Sequence, residues 1–204
     1  MGRDFSASVN AVAAETDRPD PFRVLVSTII SLRTRDETTL AASRRLFETA
    51  ATPAAVATLP VERIEELIYP AGFYRNKART IHTTAEILLE KHGGSVPASR
   101  DELVALPGVG RKTANLVLGV AFGIPAICVD IHVHRIANRL GWVDTSNPED
   151  TEFALMKILP EEYHIAINEL LVGFGQRVCT PQSPWCSRCP LREECPRRGV
   201  QRSR

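Results

Sequence analysis

The stretch Leu106-Pro-Gly-Val-Gly-Arg-Lys-Thr-Ala-Asn115 constrains the fold of this chain more than any other. Upstream of it, Ser99 and Glu102 have the Ser-x-x-Glu spacing of a capping box, which predicts a short helix ended by Pro107. From Arg111 an apolar helical pattern runs to a Gly123 stop. Two helices therefore flank a hairpin, Pro107-Gly108-Val109-Gly110, whose glycines can take positive φ and carry no side chain. Such a turn lets backbone N–H groups at the start of the second helix approach a phosphate closely, which is the working part of a helix-hairpin-helix DNA clamp. Lys112 falls in the first turn of that second helix, where the positive end of the helix dipole disfavours an ammonium and favours a neutral, nucleophilic amine. A phosphate-binding cation is the commoner use of a lysine at this place. A carboxylate, Asp130, follows eighteen residues later.

The 204 residues fit one or two compact domains, and 44% hydrophobic content is ample for a buried core. No apolar run approaches the ~20 residues of a membrane span. The first residues, with Arg3 and Asp4 and no apolar stretch, do not resemble a signal peptide, so a cytoplasmic protein is expected. A net charge of +1 gives nucleic-acid binding little support. The distribution is more telling: seven arginines from Arg177 onward against Glu193 and Glu194 make that end +5 and leave the first 176 residues at −4. A basic end of this kind attracts phosphate without regard to sequence, although residues beyond Pro196 read more simply as a solvated, partly disordered tail.

Helix signals recur along the whole chain. A first helix is expected over 9–15. Asp20-Pro21, Thr52-Pro53 and Asn147-Pro148 each set a capping residue before a proline at the first helical position. Phe22, Leu25, Val26, Ile29 and Ile30 keep helical spacing, and a helix over 37–49 is expected behind an Asp36 cap. Further helices are expected over 54–59, 61–68 and 74–91, the last stopped by Gly93-Gly94. Ile127, Val129, Ile131 and Val133 alternate like a strand, yet a single strand would have no partner. Ile136, Ala137 and Leu140 continue from Val133 at helical spacing, so Asp130 reads as the N-cap of a helix ending at Gly141. Helices over 149–159 and 161–178 complete an all-α chain with no internal repeat.

Four of the five cysteines, Cys179, Cys186, Cys189 and Cys195, fall in the pattern Cys-x6-Cys-x2-Cys-x5-Cys. A clustered quartet in a helix-rich chain with no need of disulfides points to metal. Zinc and a [4Fe–4S] cluster both accept four thiolates, and the spacing does not choose between them. A redox Cys-x-x-Cys at Cys186 and Cys189 leaves two cysteines unused. Cys128, between Ile127 and Val129, reads as a small core residue.

The run from Leu106 to Lys112, the interval from Lys112 to Asp130 and the cysteine pattern together resemble endonuclease III, a base-excision glycosylase/lyase of the helix-hairpin-helix superfamily. The likeness covers about 20–196. It implies two all-α lobes with a DNA cleft between them: a six-helix barrel over 20–124 carrying the hairpin, and an iron–sulfur lobe made of 125–204 with residues 1–19. The likeness also selects [4Fe–4S] as the cofactor. It implies that Lys112 attacks the sugar at C1′ and that Asp130 accepts a proton and offsets positive charge there. The expected ligand is duplex DNA containing damaged bases, such as oxidised pyrimidines, or abasic sites, bound by a monomer. Gly108, Gly110, Arg111 and His132 are then contacts to the DNA backbone. Asp130, His132 and His134, at i, i+2 and i+4 of a helix start, do not share one face and make no metal triad.

Two positions depart from the family. Arg33 replaces a hole-filling glutamine after the first apolar helix, and Phe73 replaces a leucine in a Gly-Leu-Tyr segment. A guanidinium can stack in the vacated space or pair with the orphan base, and a phenyl ring can serve as a larger wedge. The rival enzyme is an adenine-mismatch glycosylase with the same cysteine spacing. Those enzymes carry an acid in the first barrel helix and no lysine, whereas Val24 to Leu32 holds no acid and position 112 is Lys. A non-catalytic DNA-binding module is the rival from another class.

Overall fold

A computed structural model describes residues 8–16 and 18–204, and among these it contains eleven α-helices, two short 3-10 turns and no strand. The chain divides into two compact units, 1–124 and 125–204. None of the described helices is long and apolar enough to cross a membrane.

The first unit holds α1 (Ser8–Ala13), α2 (Pro21–Ser31), α3 (Asp36–Thr49), α4 (Pro53–Ala57), α5 (Val61–Ile68), α6 (Tyr74–His92), α7 (Arg100–Val104) and α8 (Arg111–Phe122). Helix α2 is its centre because it is apolar nearly all round: Phe22, Val24, Leu25, Val26, Ile29 and Ile30 are all buried. Each is worth about 1.5–3 kcal/mol of burial. Its start is fixed by Asp20, whose Oδ1 accepts from Phe22 N at 2.9 Å and Arg23 N at 3.0 Å, with Pro21 in the first turn. Helices α1, α3, α6 and α8 pack on it, and α4 and α5 pack on α6. Seven helices, α2 to α8, occupy the span expected to form a six-helix barrel; α4 and α7 are only five residues long.

Three expectations in this unit are corrected. Residues 8–13, expected with the cysteine-bearing lobe, pack as α1 on α2 and α3, with Val9 and Val12 buried, so they belong to the first unit. The part of the expected 1–19 segment at 1–7 and at 17 lies outside the described residues. Asp36 is not a cap: it is the first residue of α3, its Oδ1 accepts from Ser8 Oγ at 3.0 Å, and no side chain caps that helix. Ser99 does precede α7, but its hydroxyl makes no capping bond, and Glu102 faces His92 at 3.8 Å instead of reaching back to close a capping box.

The second unit is built on α9 (Ile131–Arg139), α10 (Pro148–Ile158) and α11 (Ala166–Arg177). Ile127, Val129, Val133, Ile136, Leu155, Ile167 and Leu171 form its core. The alternating segment before α9 is neither strand nor helix, and Cys128 is buried within it as expected. Asn168 Nδ2 donates to Cys128 O at 2.9 Å, so a side chain supplies a partner that a neighbouring strand would otherwise give. The single helix expected over 161–178 is broken into a 3-10 turn, Glu161–Tyr163, and α11. The buried His164 ring marks the break, its Nε2 lying 3.0 Å from the Leu159 carbonyl. The chain beyond Pro196 is also better tied than a solvated tail. Arg198 N donates to Arg139 O at 3.2 Å, Arg204 N donates to Pro184 O at 2.8 Å, and Ser187 N donates back to Arg204 O at 2.9 Å.

Candidate active site and cysteine loop

The hairpin between α7 and α8 is pinned from beneath and bare on top. Leu106 and Val109 are buried, whereas Gly108, Gly110 and Lys112 are exposed. Arg100 Nε donates to the buried Asn115 Oδ1 at 2.9 Å, tying α7 to α8. The two glycines have different reasons to be glycine. Gly108 has φ +72°, and a Cβ there would lie 2.9 Å from Thr80 Cγ2 on α6. Gly110 is the N-cap of α8 at φ −93° and ψ 176°, with open space around its missing Cβ, so it does not take the positive φ expected of it. No side chain caps α8, and no acid lies in its first turn. Arg111 is half-buried as the first residue of that helix, and Lys112 follows it.

At the head of α9 the Asp130 carboxylate has the role predicted for it as a cap. Both bonds go to one oxygen: Oδ1 accepts from His132 N at 2.8 Å and Val133 N at 2.9 Å. The two histidines then diverge. His132 Nδ1 lies 3.1 Å from an Arg135 guanidinium nitrogen, and His134 Nδ1 lies 2.7 Å from Thr151 Oγ1. Among the described residues no group of three or more His, Cys, Asp or Glu stands in the arrangement of one metal ion's ligands.

The four clustered cysteines line one small hollow together with Trp185 and Arg139. Burial raises the Cys189 thiol above its ordinary pKa, and Cys195, Cys179 and Cys186 add to the rise. Two arginines that the sequence reading did not single out hold this loop against α9. Arg139 donates to Thr180 O and Pro181 O, each at 2.7 Å, and to Cys179 Sγ at 3.4 Å. Arg135 donates to Cys179 O at 3.0 Å. Burial draws the Arg135 pKa down, and the charge on Arg139 adds to this, while Cys179 and Asp130 act in the opposite direction. The guanidiniums of Arg188 and Arg204 both lie 4.1 Å from the centre of the Trp185 ring. Four thiols around one hollow suit a metal–sulfur group in donor chemistry.

Arg33 and Phe73, far apart in sequence, are brought together in the first unit. The Arg33 guanidinium carbon lies 5.5 Å from the Phe73 ring centre. Both residues are exposed, and both have left-handed backbone, φ 53° and 58°. Beneath them is a buried lysine that the sequence reading passed over. Lys77 Nζ donates to Ile30 O at 2.7 Å, Leu32 O at 2.5 Å and Thr34 Oγ1 at 2.8 Å. Burial lowers its pKa to about 8. A signal was present, since Lys77 shares a helical stripe with Ile81, Thr84 and Leu88, all buried.

The chain matches the HhH-GPD superfamily of base excision DNA repair proteins over residues 26–161. The endonuclease III of Thermotoga maritima is 55% identical over 176 residues, covering 86% of this chain and 83% of that protein. The chloroplastic endonuclease III homolog 2 of Arabidopsis thaliana is 46% identical and is matched by 93% of this chain, which spans 53% of that longer protein. A solved structure of a trapped endonuclease III–DNA covalent intermediate, an estranged-adenine complex, superposes with a TM-score of 0.83 at 39% identity over 93% of each chain. With a superfamily match that includes the hairpin and relatives of this identity, the chain belongs to the endonuclease III family of helix-hairpin-helix DNA glycosylase/AP lyases of base excision repair.

Proposed function

We propose that the chain acts as a monomer on duplex DNA, excising oxidised pyrimidines through Lys112 and then cleaving the strand. The Lys112 amine attacks C1′ and the bond to the base breaks; the base leaves with the electron pair and takes up a proton. Ring opening leaves an imine between Lys112 and C1′. The imine makes a C2′ proton acidic, and loss of that proton expels the 3′ phosphate by β-elimination. Asp130 accepts the proton released by the amine and offsets positive charge at the sugar. Gly108, Gly110, Arg111 and His132 grip the backbone, and Arg33 and Phe73 enter the stack left by the extruded nucleotide.

The observation that carries this reading is the division of labour at Asp130. The cap engages Oδ1 alone, so the same carboxylate can anchor α9 through one oxygen and present the other to a reaction. The exposure of Lys112 beside the exposed glycines of the hairpin supports its part. The structure of a relative as a covalent intermediate with DNA supports a nucleophile in this family. Cys179, Cys186, Cys189 and Cys195 would hold a [4Fe–4S] cluster, a reading supported by the shared hollow they line. When bound, such a cluster supplies a rigid, redox-capable hub for the loop; the steps above run on side chains alone.

The test is covalent capture. Wild-type protein incubated with abasic duplex and borohydride is expected to form a stable adduct, and Lys112→Gln to form none while still binding. Loss of a mere phosphate contact would instead lower affinity and reduce the salt slope by about one unit. Full strand cleavage by Lys112→Gln would sink the lysine mechanism.

A further inference from the structure

Buried lysines are rare unless every proton finds a partner. Lys77 is 7% exposed, and its three N–H bonds have three acceptors, all in the last turn of α2 or just after it. Two are the carbonyls of Ile30 and Leu32 at the C-terminal end of that helix, where the dipole is negative and orphan carbonyls need donors. The third, Thr34 Oγ1, is shared: it also accepts from Gly72 N at 3.1 Å. One hydroxyl thus links the lysine to both segments that bear the exposed pair. The fit between those segments is tight, because a Cβ on Gly72 would lie 2.4 Å from Arg33 O. The residues next to these ties, Arg33 and Phe73, are the ones held in left-handed backbone, which a non-glycine residue keeps only when its surroundings enforce it.

We propose that Lys77 is the positioning residue for the Arg33–Phe73 pair, holding the two exposed side chains as one stacked unit that enters the duplex. This rests on the reading of Arg33 and Phe73 as groups that enter the DNA stack. It adds that neither works independently, since both are set by one ammonium group. A lysine that served only the stability of the fold would not connect chemically distinct substitutions at the surface.

The experiment uses the full chain and a duplex with 2-aminopurine beside a stable abasic-site analogue, whose fluorescence rises when the stack is opened. Four proteins are compared at saturating concentration: wild type, Phe73→Ala, Lys77→Met and the double variant. Phe73→Ala and Lys77→Met are each expected to lose most of the rise. The double variant should lose less than the product of the single losses by at least about threefold, as for residues acting through one element. If Phe73→Ala suppresses the signal but Lys77→Met leaves it intact, or if the losses multiply, the proposal is overturned while the wedge reading stands. If Phe73→Ala itself keeps the wild-type rise, the wedge reading fails and takes the proposal with it. Should circular dichroism show Lys77→Met to be unfolded, Thr34→Val replaces it in the same cycle. That variant keeps the lysine and removes the shared hydroxyl, and the same outcomes decide.

Discussion

Gly175 on α11 comes so close to His132 on α9 that a Cβ at 175 would lie 2.5 Å from the imidazole Nδ1. The same Cβ would lie 2.9 Å from the Arg135 guanidinium and 3.0 Å from Ile136 Cδ1. Gly175→Ala should therefore turn the imidazole out of place at an overpacking cost of about 1–3 kcal/mol. If His132 is a backbone contact, affinity for uncleavable abasic duplex falls with it. Fluorescence anisotropy at fixed salt checks this, and unchanged affinity in a folded variant removes His132 from the interface.

The two hairpin glycines should separate cleanly. Gly108→Ala forces a Cβ into left-handed backbone and against Thr80, at a cost of about 1–2 kcal/mol from the backbone alone, and should weaken DNA binding. Gly110→Ala meets open space in extended backbone and should cost far less stability. Thermal unfolding and DNA binding of the pair provide the comparison. Equal stability losses would contradict the different backbone roles assigned to them.

Asp130 offers a second separation. Asp130→Asn keeps an oxygen for the two N–H groups and should retain stability, whereas Asp130→Ala loses the cap at about 1 kcal/mol. Both should lose base excision, because neither an amide nor a methyl group accepts a proton at neutral pH. A fast Asp130→Asn enzyme would reduce the residue to its capping role.

For the cysteine loop, anaerobically purified protein is expected to be brown and to contain four iron and four sulfide per chain. Stoichiometric zinc without iron would overturn this. Cys186→Ser should destabilise the second unit, seen as increased protease sensitivity of residues 125–204.

Lys77 should leave a signature in the pH dependence of stability. Its pKa is about 8 in the folded chain against an ordinary 10.5, so between those values the unfolded chain binds more protons. Stability contributed through this group is present above pH 10.5 and is lost as pH falls through about 8. Relative to Lys77→Met, the wild type should thus gain melting temperature between pH 7.5 and 9.5 at equal scan rate. A constant difference would show that the lysine does not titrate in that window.

The helices were legible where their signals are local. Asp20, Thr52 and Asn147 all cap as their sequences suggest, each before a proline in the first turn, and Val61–Ile68 begins and ends where its pattern does. The sequence misled wherever a distant partner competed for the same atom. Ser8 takes the Asp36 carboxylate, and Glu102 turns to His92. His164 reaches back to Leu159 and marks the end of a helix read as continuous. Of the site, the hairpin, the Asp130 cap and the cysteine spacing could be read directly. The pairing of Arg33 with Phe73 could not, because it depends on a contact across forty residues and on a lysine hidden in an apolar stripe.

Helix α9 is nine residues long, about 13 Å from end to end. Its head is the Asp130 carboxylate, and its far end carries Arg139, clasped to Thr180 and Pro181 beside the first cysteine of the loop. No proline or glycine interrupts it, so it behaves as a short strut between those two ends. Damage at the cysteine loop is then not confined there: a shift that tilts the strut moves the carboxylate at its other end, which the proposed chemistry needs held to within about 0.5 Å.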